Sequence, residues 1–307
     1  MLRYLLSRLG QAAVILLGIT LITFLLLYLL PADPVQQMAG RSSTPETRAL
    51  IRKDLGLDRP IWEQYANYLA KLIQGDLGRS YIQKSQVTEL ILSRLPATLQ
   101  LLAGAIVVEL LIGLSAGIFA ARRRGRWADR AVMVLSFTAV SAPQFVVGIL
   151  LLYFFAAELR WLPPGGYGSL EHLILPALTL GLLGGGWYAR MTRSSLIDVL
   201  RRDYIVTAEA KGASQRRVLW VHAVRNAALP IVAMIGLDIG IFMSGAVVVE
   251  SIYGWPGIGQ LAWQAIQRID IPIIVGVTLV SAIAIMLGNL LADLLAPLID
   301  PRIKLRA

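Results

Sequence analysis

The sequence predicts an all-α membrane protein with six transmembrane helices and a small helical insertion after the first. Three observations predict it. The 307 residues are 56% hydrophobic and only 16% charged, more apolar surface than a soluble domain can bury. The apolar residues gather into six blocks of roughly 20 residues, the length that crosses a hydrocarbon layer. The basic residues behind the +10 net charge fall between those blocks rather than along one face, which argues for a membrane and against nucleic acid.

Leu9 to Ala32 is uncharged and follows Arg3 and Arg8. It is too long for a signal-peptide core and lacks a small-residue cleavage pattern, so it reads as an uncleaved first span ended by Pro31 and Pro34. Residues 33–94 are of mixed polarity and form a separate subdomain. There Thr44 is placed to cap a helix that has Pro45 at its first position and Gly56 near its end. A second helix covers Pro60 to Gln74, and GDLGRS (75–80) reads as a turn.

The core then runs over residues 95–296. Pro96 to Ala121 is the second span, interrupted by Glu109, and Arg122 to Arg130 is a basic loop. Ala131 to Ala157 is an uncharged third span containing Pro143; a short Pro/Gly-rich loop, Glu158 to Glu171, leads to the fourth, Leu173 to Ala189. After a polar, basic segment over 190–226 comes the fifth span, Ala227 to Val249, interrupted by Asp238. Glu250 to Asp270 is a loop, Ile271 to Leu295 the sixth span with Asp293 near its end, and 297–307 a basic tail, DPRIKLRA at its end.

Lys and Arg distribution sets the orientation. With six spans, the N-terminus, loop 122–130, segment 190–226 and the tail share one side, and they hold most of the basic residues. The short loops on the other side hold one each, Arg160 and Arg268. Both termini are therefore expected in the cytosol and residues 33–94 outside it.

Catalytic signatures are missing. The sequence has no cysteine, hence no disulfide or thiolate site. His172 and His222 fall on opposite predicted sides and cannot share a metal. No P-loop, HExxH or Gly-x-Ser-x-Gly occurs, and GWPGIGQ (254–260) follows no strand, so it reads as a turn. Glu109, Asp238 and Asp293 are ionisable groups inside spans, each costing about 2.5–3.5 kcal/mol at mid-helix unless it faces protein or water. For Glu109 and Asp238 two readings stand, a proton or substrate path and a buried structural partner. Asp293 reads as interfacial, because Pro297, Asp300 and the basic tail follow it. Gly113/Gly117, Gly181/Gly185 and Gly236/Gly240 are spacings that let helices approach closely, and read as ordinary packing.

The most informative stretch is DYIVTAEAKGASQRRVLWVHAVRNAALP, Asp203 to Pro230, polar and basic between two apolar blocks. It predicts a helix to about Lys211, a break at Gly212 where positive φ is needed, and a second helix capped by Ser214. A basic amphipathic stretch can simply rest on anionic headgroups. The alternative is a helix laid into a partner's groove.

TAEAKGASQRRV…HAVRNAALP resembles the cytoplasmic coupling loop, the EAA loop, of ABC importer permeases of the dipeptide, oligopeptide, nickel and glutathione class. PADPV, LGLDRP, GDLGRSY, the WLPPGG turn and TRSSLIDVL (192–200) resemble the same branch, so the resemblance covers nearly the whole chain. In the family a Glu-Ala-Ala triplet stands six residues before a glycine. Counting back from Gly212 places Val206, Thr207 and Ala208 there, so Ala208 and Gly212 carry over, while Glu209 is not the family's glutamate.

The resemblance implies the type I importer permease fold in the bacterial inner membrane. It implies a heterodimer with a homologous permease, two cytoplasmic ABC ATPases and an extracytoplasmic substrate-binding protein, with ATP and magnesium on the ATPases and no cofactor in this chain. The ATPase-coupling candidates are Thr207, Ala208, Glu209, Ala210, Lys211, Gly212, Ala213, Ser214, Arg216 and Arg217. Asp238 lies on a helix that lines the cavity in the family. Trp255, Pro256, Gly257 and Gly259 are candidate contacts for the binding protein; their alternative, and the preferred reading of Trp263, is an interfacial aromatic belt. The expected cargo is peptide, with glutathione and nickel chelates as alternatives. The rival class is an ion-coupled secondary transporter using Glu109 and Asp238; such proteins often carry inverted repeats, and none is visible here.

Overall fold

A computed structural model of the chain describes residues 2–29, 44–54, 57–80, 82–243 and 246–299. Pro31, Pro34, PADPV, Gly56 and the DPRIKLRA tail lie outside the described residues. In order, the helices are α1 (Leu2–Leu29), α2 (Pro45–Asp54), α3 (Ile61–Ile73), α4 (Val87–Arg122), α5 (Trp127–Ser141) and α6 (Gln144–Glu158). They continue with α7 (Leu170–Leu200), α8 (Asp203–Ala210), α9 (Gln215–Ala227), α10 (Leu229–Met243), α11 (Val247–Ile252), α12 (Ile258–Arg268) and α13 (Ile271–Ile299).

Four of these, α1, α4, α7 and α13, are long and apolar enough to cross a membrane alone. Two more crossings are reached only by counting two bent pairs, α5 with α6 at 102° and α9 with α10 at 44°. The third predicted span is thus not one rod. Its chain turns sharply at Ala142–Pro143, because Pro143 cannot continue the ladder of α5 and biases Ala142 to the extended φ and ψ it adopts. The fifth also ends early, at Met243, with α11 a separate short helix.

Other boundaries move outward. α4 begins at Val87, not Pro96, and runs through the proline; α7 continues to Leu200, so residues 190–200 extend the fourth span and do not belong to a loop. Inside a bilayer the helix is the only open-chain way to satisfy every backbone group, which favours extension of α4 back through Pro96. Of GDLGRS only residues 75–78 turn, Gly78 N–H donating to Asp76 Oδ1 at 2.8 Å, and Arg79 and Ser80 are strand. The turn leads into a two-residue hairpin, β1 (Arg79–Ser80) against β2 (Ser85–Gln86), the only strands among the described residues of an otherwise helical chain.

The bundle is sewn together by glycines. α4 and α7 run parallel in close contact: a Cβ at Gly117 would lie 2.6 Å from Ala189 O and from Thr192 Cβ, and one at Gly113 would overlap Tyr188. α5 packs against α7 in the opposite sense, Gly186 lying under Ser136 O. α10 and α13 also run antiparallel, with Gly240 against Ile285 and Gly288 against Gly236. All three glycine spacings seen in the sequence therefore serve contacts within the chain.

The contacts separate two ends. At one, the hairpin, the start of α4, α11 and α12 meet: Ser80 Oγ donates to Asp270, Arg94 Nη1 to Gln260 Oε1 at 3.1 Å, and Trp255 Nε1 to Ala97 O at 2.9 Å. At the other, Arg193 holds Asp129 through two hydrogen bonds, at 2.5 and 2.7 Å, tying the start of α5 to the far end of α7. Arg8 of α1 pairs with Asp293 of α13 at 2.8 Å, giving that in-span acid a structural partner.

Candidate functional site

The segment joining α7 to α10 folds as a helix, a break and a second helix. α8 ends at Ala210; Gly212 has φ of 82°, in the left-handed region where a Cβ is penalised. Ser214 Oγ then accepts from Arg217 N–H, capping α9. Across the break, Gln215 Nε2 donates to Glu209 Oε1 at 3.3 Å. Residues 218–223 of α9 are π-helical.

A small apolar cluster fixes this elbow. Ile205 of α8 and Val218, Leu219 and Ala223 of α9 are buried with Ala121 of α4 and Leu196 and Ile197 of α7. Most of the remaining residues around the break face outward. Thr207, Glu209, Ala210, Lys211, Gly212, Ser214, Arg216 and Arg217 are exposed, and Ala208 and Ala213 are half-buried. The structure adds residues missed in the sequence. Tyr204 and Val206 are exposed on α8, and Trp220 and Val221 join Ser214, Arg216 and Arg217 around a shallow open groove of about 490 Å³. The missed signal was a set of large apolar residues inside a basic stretch, which water alone does not favour exposing.

Glu109 and Asp238, flagged separately in the sequence, come together. Both line a cavity of about 220 Å³ between α4, α7, α10 and the α5–α6 bend, with Gln144, Trp187 and Gly184 among its walls. Tyr188 donates to Asp238 Oδ2. Glu109 is 2% exposed, and its Oε2 has no hydrogen-bond partner among the described residues. A side chain at Gly184 would overlap the Glu109 carboxylate, so the glycine makes the space the acid occupies. Tyr188 as the partner of Asp238 and Gln144 as part of the wall were not legible, since only the packing of α7 and the bend bring them here.

The loop after α10 departs from expectation. Trp255, Gly257 and Gly259 are buried within the chain, leaving Gly254 exposed and Pro256 partly so. The Trp255 ring lies edge-on to Tyr167 at 4.9 Å between centroids. Tyr253 bonds Thr179 and Gly148 O, each at 2.9 Å. Glu250 accepts from Gln260 N–H at 2.7 Å and from Thr98 at 3.5 Å, and Thr98 accepts from Ile258 N–H at 2.8 Å. Burial pushes the Glu250 carboxyl up to about 7. A partner landing here would meet Gly254 and Pro256, not the tryptophan. Trp263, by contrast, is 46% exposed.

Comparison with known proteins agrees with this architecture. Residues 113–305 match the model of the binding-protein-dependent transport system inner membrane component family, and residues 1–102 match its N-terminal membrane-component model. The glutathione transport system permease protein GsiC of Salmonella choleraesuis and that of Salmonella typhimurium are each 41% identical over 304 residues, 99% of both chains. The Escherichia coli GsiC is 39% identical over the same share. The chain belongs to the binding-protein-dependent transport system inner membrane component family, as a permease subunit of an ABC importer.

Proposed function

We propose that this chain forms half of a heterodimeric translocation pathway for glutathione and is driven through α8 and α9 by cytosolic ATPase subunits. The observation that carries it is the exposed elbow, fastened by Ile205, Val218 and Leu219 to the ends of α4 and α7. A partner gripping that elbow moves two spans that line the acidic cavity. The names of relatives alike over the full length support glutathione over the wider peptide class and over nickel chelates. ATP and magnesium act on the ATPases, by favouring one global state of the complex. A homologous permease and an extracytoplasmic binding protein complete it. Both termini face the cytosol, following the arginines of loop 122–130 and of the elbow.

The test uses the reconstituted complex. Gly212→Asp is expected to leave ATP hydrolysis running while glutathione uptake falls at least tenfold; undiminished uptake overturns the coupling role. Because the chain has no cysteine, Glu209→Cys gives a single thiol. Membrane-impermeant maleimide must label it only from the cytosolic side; labelling from outside overturns the orientation. The purified chain alone, in liposomes with an ion gradient, carries nothing; unaided transport would instead support the secondary-transporter reading.

A further inference from the structure

The acidic cavity has a composition that calls for a cation. Among its lining residues are two carboxyl groups, an amide, the Trp187 indole and apolar side chains, and no Lys, Arg or His. Tyr188 gives its one proton to Asp238, and Glu109, itself only 2% exposed, has its Oε2 without a partner among the described residues. The cavity opens on a face this chain leaves uncovered, where Trp187, Leu237 and Ile241 are 51%, 58% and 62% exposed. One helical turn from its mouth, the Arg190 guanidinium lies over the Trp187 and Phe137 rings, 4.6 and 4.5 Å from their centroids, and makes no ion pair among the described residues. An acidic pocket beside an indole, with a cation one turn away, matches a zwitterion: an ammonium at the acids, a carboxylate at the arginine.

We infer that Glu109 and Asp238 form an intramembrane station for the primary ammonium group of a translocating peptide, with Arg190 placed for its carboxylate. The inference rests on the reading of this chain as half of a translocation pathway. It adds selection by the permease itself: a cargo whose amine is blocked should be handed on poorly even when the binding protein delivers it. Tyr188 is a positioning residue, holding Asp238 toward the cavity.

Two measurements decide it. In the reconstituted complex, uptake of glutathione is compared with that of N-acetylglutathione, using one binding protein throughout so that its own preference cancels. The ratio is expected to fall about tenfold from wild type to Glu109→Gln/Asp238→Asn, roughly 1.4 kcal/mol of discrimination, with binding-protein-stimulated ATP hydrolysis retained. An unchanged ratio, or equal loss of both cargos, marks the acids as structural and overturns the station.

The second measurement does not depend on cargo. Infrared difference spectra of the complex in nanodiscs, with propylammonium against propanol, should show a carboxyl change in wild type that vanishes in the double variant. No amine-specific change in wild type overturns the station whatever the complex carries. A change in a complex that fails to import glutathione keeps the station and overturns the cargo reading instead. Gel-filtration and melting profiles of Glu109→Gln and Asp238→Asn singly guard against a misfolded double variant.

Discussion

Two segments of this chain look alike on paper and end in opposite surroundings. Residues 203–221 and 250–259 each carry closely placed polar groups, a tryptophan and a glycine break between apolar blocks. The first is held by a few aliphatic side chains and turns its polar face outward. The second turns inward: Trp255, Tyr253 and Glu250 are each 1% exposed or less, and bind α4, α7 and the α5–α6 pair. One segment presents its polar face to the outside, the other locks the opposite end of the bundle. A glycine break marks a change of direction; it does not say whether the turn meets solvent or the protein.

The sharpest way to break the contrast is to remove the tryptophans. Trp255→Ala deletes a buried ring and its bond to Ala97 O, and is expected to cost about 3–5 kcal/mol. Trp220→Ala, from a ring 53% exposed, should cost less than about 1 kcal/mol. Thermal melts of the solubilised protein check both, and equal losses would erase the distinction. The effect of pH comes next. Glu250 titrates near 7 when folded against 4.5 as an ordinary carboxyl, so folding favours its proton. Stability from this group is greatest below pH 4.5, declines as pH rises toward 7 and is flat above. The decline is on the order of 3 kcal/mol, and Glu250→Gln should remove it from the difference between the two pH profiles.

The glycines give the smallest and most diagnostic pair. A Cβ at Gly257 overlaps the Glu250 carboxylate, so Gly257→Ala is expected to cost about 1–3 kcal/mol by overpacking. Gly212 has open space around it and only its positive φ to protect, so Gly212→Ala costs about 1 kcal/mol and leaves the lock intact. If Gly212→Ala destabilised the protein more than Gly257→Ala, the elbow would be the more deeply packed of the two.

This contrast also explains what could be read in advance. The elbow was legible because its determinants are local: Ser214 caps three residues ahead, and Gly212 turns the chain two residues after α8 ends. Hydropathy located the apolar blocks but is blind to direction, so a block turning through 102° at Pro143 scored as one straight span. Helix ends were misplaced where Pro96 sits inside a helix that starts nine residues before it, and where the fourth span continues past Ala189 as a polar, amphipathic helix to Leu200. The burial of Trp255 and the meeting of Glu109 with Asp238 depend on partners far along the chain, and no spacing rule connects those positions.

The unbroken length of α7 has a mechanical consequence. Thirty-one residues of helix span roughly 46 Å, about half as long again as the hydrocarbon layer is thick. Its glycine seam with α4 leaves no slack between the two rods, so they must tilt as one stiff lever. A torque applied at the tip beyond Leu200 would reach Trp187, in the wall of the acidic cavity, without a break in the helix between them.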